Sequence, residues 1–431
     1  SYSQEKVSSL DGKTGLPTAI ANLLSKDAED LKPAERAKLK KHFLANTSHP
    51  VSQAQAKVAQ AKKALDNFIN SFSSTMVMKE KAKPKDAFIL NRGEYDQPTD
   101  KVGRSLPAVL PPLPEGEPVN RLGLARWLVS GDHPLTARVW VNRMWERLFG
   151  VGIVKTSENL GSQAEWPMHP ELLDWLAVEF AKPTQLPKVA GKSSQAWDMK
   201  GMIKFIMMSQ AYCQSSSAPE ELYRKDPENR LLARGPRFRL TGELVRDQAL
   251  AVSGLLVNKV GGPSVRPYMP VGVWSETNRY GNLKNYKADS GEGLYRRSMY
   301  TIWKRTAAPP SMLLFDAPNR EICFPLRSRT NTPLQALALM NEVTYVEAAR
   351  SLAQRMMKEG GDSVESRIVT GFRLVTARTP DAATLAILKK GFEDRRKEFE
   401  KDSESATALI MQGTSKPDPS LSAPDLAAYS A

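Results

Sequence analysis

The chain of 431 residues is short of the side chains that bind metals. It has two cysteines, Cys213 and Cys323, and four histidines, His42, His49, His133 and His169. Neither Cys-x-x-Cys nor Cys-x-x-Cys-His occurs, so this stretch offers no cysteine zinc site and no c-type haem attachment. No two histidines stand at metal-ligand spacing, and no metal or cofactor is expected. The cysteines lie far apart in sequence and are expected as unpaired, buried thiols. Also missing are Gly-x-Ser-x-Gly, a P-loop and a dinucleotide fingerprint. "VGGPSVRP" at 260–267 contains glycines but lacks the strand-to-helix setting of a phosphate loop. No apolar run approaches the roughly 18 residues needed to span a bilayer as a helix. Nor is there an initiator Met or a charged-then-apolar signal pattern before the opening Ser1, so the chain reads as a piece of a longer polypeptide. The closing "PDLAAYSA" reads as the start of a helix that is cut off.

Acidic residues are the minority among the charges: 47 against 61 basic, for a net +14. That balance permits an acidic partner such as an anionic polysaccharide. The excess is spread along the chain without an arginine-rich block. No helix-turn-helix, zinc finger or aromatic-basic spacing accompanies it, so nucleic acid is not the expected partner. With 41% hydrophobic and 25% charged residues the composition is that of a soluble globular protein.

Apolar spacing predicts a mainly α fold: a multi-helix domain with long ordered loops and a few short β-strands. Residues 1–75 read as a polar helical hairpin, with Val51, Ala54, Val58, Ala61, Leu65 and Phe68 on one stripe. Residues 76–118 hold two β-like runs, Thr75–Met78 and Ala87–Leu90, and then the strap "RSLPAVLPPLPEGEP". Residues 119–431 form the main helical domain, with helices at about 198–211, 240–256, 332–358, 364–376 and 380–400. The run 257–297 is too long for a passive connector, and Trp274, Tyr268, Tyr280 and Tyr286 argue that it is ordered. "RRSMYTIWK" alternates like a strand.

Four constellations could carry chemistry. Arg138, Asn142 and Trp145 share one helix face, as an interhelical hydrogen-bond network or as a ligand contact. His169, Glu171 and Asp174 could be drawn as metal ligands, but they also suit a helix start at Pro170. Glu243 and Asp247 lie one turn apart with Arg246 between them, as acid/base chemistry or as a helix-surface ion pair. The fourth is "DAPNREICFPLRSRTNTPLQALALMN", residues 316–341. Thr332, Pro333 and Gln335 fit a capping box, and Leu334, Leu337, Ala338, Tyr345, Ala348 and Leu352 predict a core stripe. Asn341 interrupts that stripe and is expected to find a partner across a helix interface. Arg320, Arg327 and Arg329, with Lys304 and Arg305 before them, suit sulfate, phosphate or carboxylate groups, or else pair with Asp316 and Glu321 internally.

The stretches "RLGLARWLVSGDHPLTARVWVNRMWERLFGVGIV", "HPELLDWLA", "DPENRLLAR", "GGPSV", "LYRRSMYTIWKRTAAPPSMLLFDAPNREIC" and "RSRTNTPLQALALMN" resemble the PSD1 (DUF1553) family of Planctomycetes and related bacteria. The likeness covers about residues 76–431. It implies an exported protein of the periplasm or cell envelope, with a DUF1549 domain upstream and often a cytochrome-c-like domain at the N-terminus. Any haem c would belong to such an upstream domain. Cys323 matches the family pattern, whereas Cys213 stands where the family usually has a basic residue. The family supplies no catalytic residues.

The leading expectation is therefore a non-haem C-terminal module that binds an anionic glycan or a partner protein through an arginine-rich surface. Arg138, Asn142, Trp145, Lys304, Arg305, Arg320, Arg327, Arg329 and Asn341 are its candidate contacts. The alternative is a hydrolase or redox enzyme acting on polysaccharide-derived substrates, with Glu243, Asp247, Asp316, Glu321 and His169 as candidates. A third possibility is a scaffold in which each arginine has an internal carboxylate.

Overall fold

Side-chain caps fix several of the helix starts. Asn120 accepts the Leu122 and Gly123 N–H groups at 2.9 and 3.1 Å, Ser363 accepts that of Ser366 at 3.1 Å, and Asp381 that of Thr384 at 2.7 Å. A computed structural model describes residues 16–46, 50–72, 74–186, 195–274, 286–304 and 306–431, so Arg305 and Tyr280 lie outside the described residues. The chain divides into two compact units at Gly103/Arg104, at the head of the proline strap.

The first unit holds α1 (Thr18–Leu24), α2 (Pro33–Asn46), α3 (Pro50–Ser71) and a two-stranded antiparallel hairpin, β1 (Ala87–Leu90) and β2 (Pro98–Val102). The partner of Ala87–Leu90 is thus Pro98–Val102 and not Thr75–Met78, which forms no strand. The hairpin turns through Asn91–Gly93, where Arg92 and Gly93 take positive φ. A reversal of that length keeps the strand ends together, which the longer Lys/Pro segment does not.

In the second unit the helices are α4 (Arg121–Leu128), α5 (Thr136–Phe149), α6 (Pro170–Ala181), α7 (Met199–Met207), α8 (Gln210–Cys213), α9 (Glu220–Lys225) and α10 (Gly242–Ser253). They continue with α11 (Glu292–Tyr295), α12 (Pro310–Leu314), α13 (Pro333–Asn341), α14 (Val343–Glu359), α15 (Val364–Thr376), α16 (Ala382–Lys401), α17 (Ser403–Ile410) and α18 (Ala423–Ser430). Eighteen helices and two short strands among the described residues make the protein mainly α. None of these helices is long and apolar enough to cross a membrane. "RRSMYTIWK" contributes isolated bridges and a 3-10 turn at Ser298–Tyr300 rather than a strand.

α5, α6 and α7 enclose one core around Val141, Trp145, Leu176, Phe180 and Met202, with Trp140 stacked on Phe180 at 4.1 Å. α14 packs against α10, α15 and α18. At its centre lies a buried polar clasp. Glu347 Oε1 accepts from the Tyr295 hydroxyl at 2.9 Å and the Ser415 N–H at 2.7 Å. The Tyr295 and Tyr268 hydroxyls each lie 3.0 Å from Thr414 Oγ1. Gly413 approaches so closely that a Cβ there would sit 2.2 Å from Glu347 Cδ. The loop after α17 is thereby fastened onto α14. α18 covers Ala353, and the stacked pair Phe392–Tyr429, 4.1 Å apart, joins α16 to it.

Candidate functional site

The segment 316–341 leaves α12, crosses the N-terminal end of α10 and forms α13. Asp316 and Arg320 both take left-handed backbone, with φ of +60° and +65°. Such a conformation costs a non-glycine residue about 1–3 kcal/mol and persists where surrounding bonds over-determine it. Asp316 has those bonds: it pairs with Arg239 and accepts from the Thr330 N–H at 2.8 Å and its hydroxyl at 2.9 Å. Arg239 was not among the sequence candidates. It lies 77 positions from Asp316 in sequence, and no local pattern links the two.

The other arginines of the segment go to separate places. Arg327 donates to Glu243 Oε2 at 2.7 Å, and both side chains are largely covered. Burial pushes the Glu243 carboxyl up, but the Arg327 hydrogen bond and charge, with the charge of Arg320 added, hold it below the ordinary glutamate value. Arg329 donates to the Gly150 carbonyl at 2.8 Å, at the C-terminal end of α5, where the helix dipole favours a cation. Its guanidinium also stacks on Phe238 at 4.5 Å. Burial lowers the pKa of Arg329, Glu146 opposes that, and the like charges of Arg147 and Arg239 add to it. Arg320 lies over the Trp303 ring at 4.2 Å and is exposed; its charge is felt at Glu243, but it makes no direct ion pair among the described residues. Lys304 faces inward over Trp274, 5.2 Å from the ring centroid.

None of the other three polar constellations gathers into a shared centre. Asn142 is fully buried and copies a peptide group. Its Nδ2 donates to the Val154 carbonyl at 2.9 Å, and its Oδ1 accepts the Val154 N–H at 2.8 Å. Trp145 is buried and stacks on Phe149 at 4.1 Å. Arg138 pairs with Asp174 at 2.7 Å. Asp247 accepts the Ser298 N–H at 2.7 Å, while the buried Arg246 donates to the carbonyls of Leu294 and Arg296 rather than to Glu243. His169 Nε2 contacts the Arg230 carbonyl at 2.9 Å. Glu321 is exposed, and its carboxylate has no cationic partner among the described residues. Glu243, Asp247, Asp316 and His169 are thus held by four different partners. No three His, Cys, Asp or Glu among the described residues cluster as a metal site. Cys213 and Cys323 are unpaired and, contrary to the expectation of burial, exposed.

α13 overturns the predicted core stripe. Leu334, Leu337 and Met340 are 59%, 52% and 71% exposed, while Gln335 is 4% exposed. The helix is anchored by its amide. Gln335 Nε2 donates to the Leu314 carbonyl at 2.8 Å and to the Thr330 carbonyl at 3.2 Å, and its Oε1 accepts the Thr332 N–H at 3.3 Å. Asn341 is exposed and bonds the Leu337 carbonyl of its own helix at 2.8 Å, with no reach across an interface. The predicted helix 332–358 breaks at Glu342, whose carboxylate caps α14 through the Thr344 N–H at 3.1 Å. Tyr345 and Ala348, beyond the break, are buried as expected. Ile322 and Phe324, 64% and 51% exposed, add to the apolar surface of the segment. Seen from the protein interior, α13 is inverted: polar inward, apolar outward.

A family model described as PSD1, a protein of unknown function (DUF1553), matches residues 120–392 and therefore includes the whole of 316–341. No curated protein and no solved structure matches the chain. With well over half its length covered by that family model, the chain belongs to the PSD1 (DUF1553) family.

Proposed function

We propose that the chain is a non-haem binding module that docks a protein surface through the segment 316–341. The observation that carries this is the inverted helix α13, whose glutamine is buried and whose leucines face solvent. Water gains nothing from ordered leucines, and exposed apolar groups gathered on an ordered element mark interaction surfaces. The arginine distribution favours protein over anionic glycan. Arg327 and Arg239 are neutralised by Glu243 and Asp316, and Arg329 is fixed on a backbone carbonyl. Arg320 is left as the arginine of the segment without a direct hydrogen-bonded partner among the described residues, too few for a polyanion track. The enzyme reading loses support because its candidate side chains have separate structural partners. The periplasm or cell envelope is the setting we propose, on the family likeness alone.

The test places a photo-crosslinking residue at Leu337 in the intact protein in its native host, with a control at the exposed Val178 of α6. A discrete protein crosslink at Leu337, absent at Val178, supports the reading. No crosslink above the control overturns it. Retention on a sulfated matrix that is lost in Arg320→Ala and unchanged in Leu337→Glu would instead support the glycan.

A further inference from the structure

We propose that the surface docked on 316–341 is a second copy of this chain, in an isologous two-fold arrangement. This rests on the reading of α13 as a docking face and names its occupant.

Charge carries the argument. Arg320 and Glu321 are consecutive, opposite in sign and exposed, and neither makes a direct ion pair among the described residues, although the charge of Arg320 is felt at Glu243. The remaining charges of the segment are already answered within the fold: Asp316 by Arg239, Arg327 by Glu243, Arg329 by the Gly150 carbonyl. In a two-fold interface residue i meets j while j meets i, so one unpaired cation beside one unpaired anion is self-complementary. Arg320 of one copy meets Glu321 of the other, and the symmetry repeats the pair. The apolar part suits the same arrangement. No charged residue occurs from Thr330 to Asn341, so two α13 helices can face each other without a like-charge clash. Stacking on Trp303 steadies the Arg320 guanidinium while leaving its N–H edges free for a carboxylate.

The experiment is sedimentation of the full chain from about 1 to about 100 μM, since a dimer is populated by mass action. The wild type is expected to dimerise within that range. Leu337→Glu should stay monomeric with unchanged circular dichroism and melting temperature. Arg320→Glu and Glu321→Arg should each weaken the dimer roughly tenfold at low salt, because two symmetric rim pairs become like-charge contacts. The double variant R320E/E321R should regain wild-type affinity to within about threefold, as only a partner carrying the same two exchanged residues allows. Failure of the double variant to recover, or a dimer untouched by Leu337→Glu, overturns the inference. A wild type monomeric throughout, with the Leu337 crosslink intact, overturns the second copy and leaves protein docking standing. A monomer with no crosslink removes both.

Discussion

Replacing Gln335 by alanine should destabilise the protein more than replacing either neighbouring leucine, the reverse of the usual order in an amphipathic helix. Gln335→Ala removes the hydrogen bonds to the Leu314 carbonyl, the Thr330 carbonyl and hydroxyl, and the Thr332 N–H. Each such bond contributes about 1 kcal/mol net, and a carbonyl left buried without a donor costs about 1–3 kcal/mol. With the weaker bonds at 3.2 and 3.3 Å discounted, the expected loss is about 2–3 kcal/mol. Leu334 and Leu337 keep more than half their surface in water. Truncating them removes little buried area, and alanine is the better helix former, so each should cost under about 0.5 kcal/mol. In a core the same leucine change would cost about 2–5 kcal/mol. Urea titration followed by circular dichroism, together with hydrogen exchange of the α13 amides, measures both the global and the local effect. The work belongs at sub-micromolar protein, where self-association does not lend the leucines apparent stability. If Leu334→Ala or Leu337→Ala costs more than Gln335→Ala, the helix is held by its apolar face and the inversion is wrong.

Three further outcomes are expected. Asn142→Leu orphans both the N–H and the carbonyl of Val154, and a loss of about 2–4 kcal/mol in chemical denaturation is expected; a change below about 0.5 would deny the network. The Glu243 carboxyl is held below its ordinary value when folded, so its stabilisation is present at neutral pH and disappears as pH falls through that lowered value. The gap between wild type and Glu243→Gln, about 1 kcal/mol or less at pH 7, should therefore close on acidification, and a gap independent of pH would refute the pairing. Gly413→Ala combines a φ of +84° with a clash against Glu347, and should lose about 3 kcal/mol or more. Gly391→Ala in α16 has no atom within 4 Å of the new methyl, and should gain up to about 1 kcal/mol. Melting curves that rank these two the other way would contradict the geometry.

Local signals in the sequence were sufficient for helices whose orientation follows from their own pattern. The cap residues Asn120, Ser363 and Asp381 start helices, and Gly150, at φ +93°, ends α5. The orientation of α13 does not follow from its leucine spacing, which says which residues share a face, not which way the face points. The direction is set by Gln335 reaching Leu314, 21 positions away. The break at Glu342 was invisible because it needs neither glycine nor proline, only a carboxylate that bonds Thr344. The arginines concentrated in the loop suggested a single basic site. Their partners lie 77 to 179 positions away, at Arg239 for Asp316, Glu243 for Arg327 and Gly150 for Arg329, and such pairings follow from tertiary packing alone. Asn142 was readable as a network residue, since a buried amide on an aromatic face must be paired, but its partner, the Val154 backbone, was not.

The clasp on Glu347 separates the span by which this family is recognised from the span that can fold. The family match stops at residue 392, inside α16. A polypeptide cut there would lose Ser415, which donates to Glu347 and accepts from Arg350, so that only the Tyr295 hydroxyl and their mutual 3.7 Å pair would hold these two side chains. It would also uncover Ala353 and Ile368, which α17 and α18 shield. Losing that apolar cover together with the hydrogen bonds of the clasp costs more than a domain's marginal stability tolerates. The smallest autonomous folding unit therefore runs on at least through α18, and truncations drawn to the recognised motif should yield insoluble or molten chains.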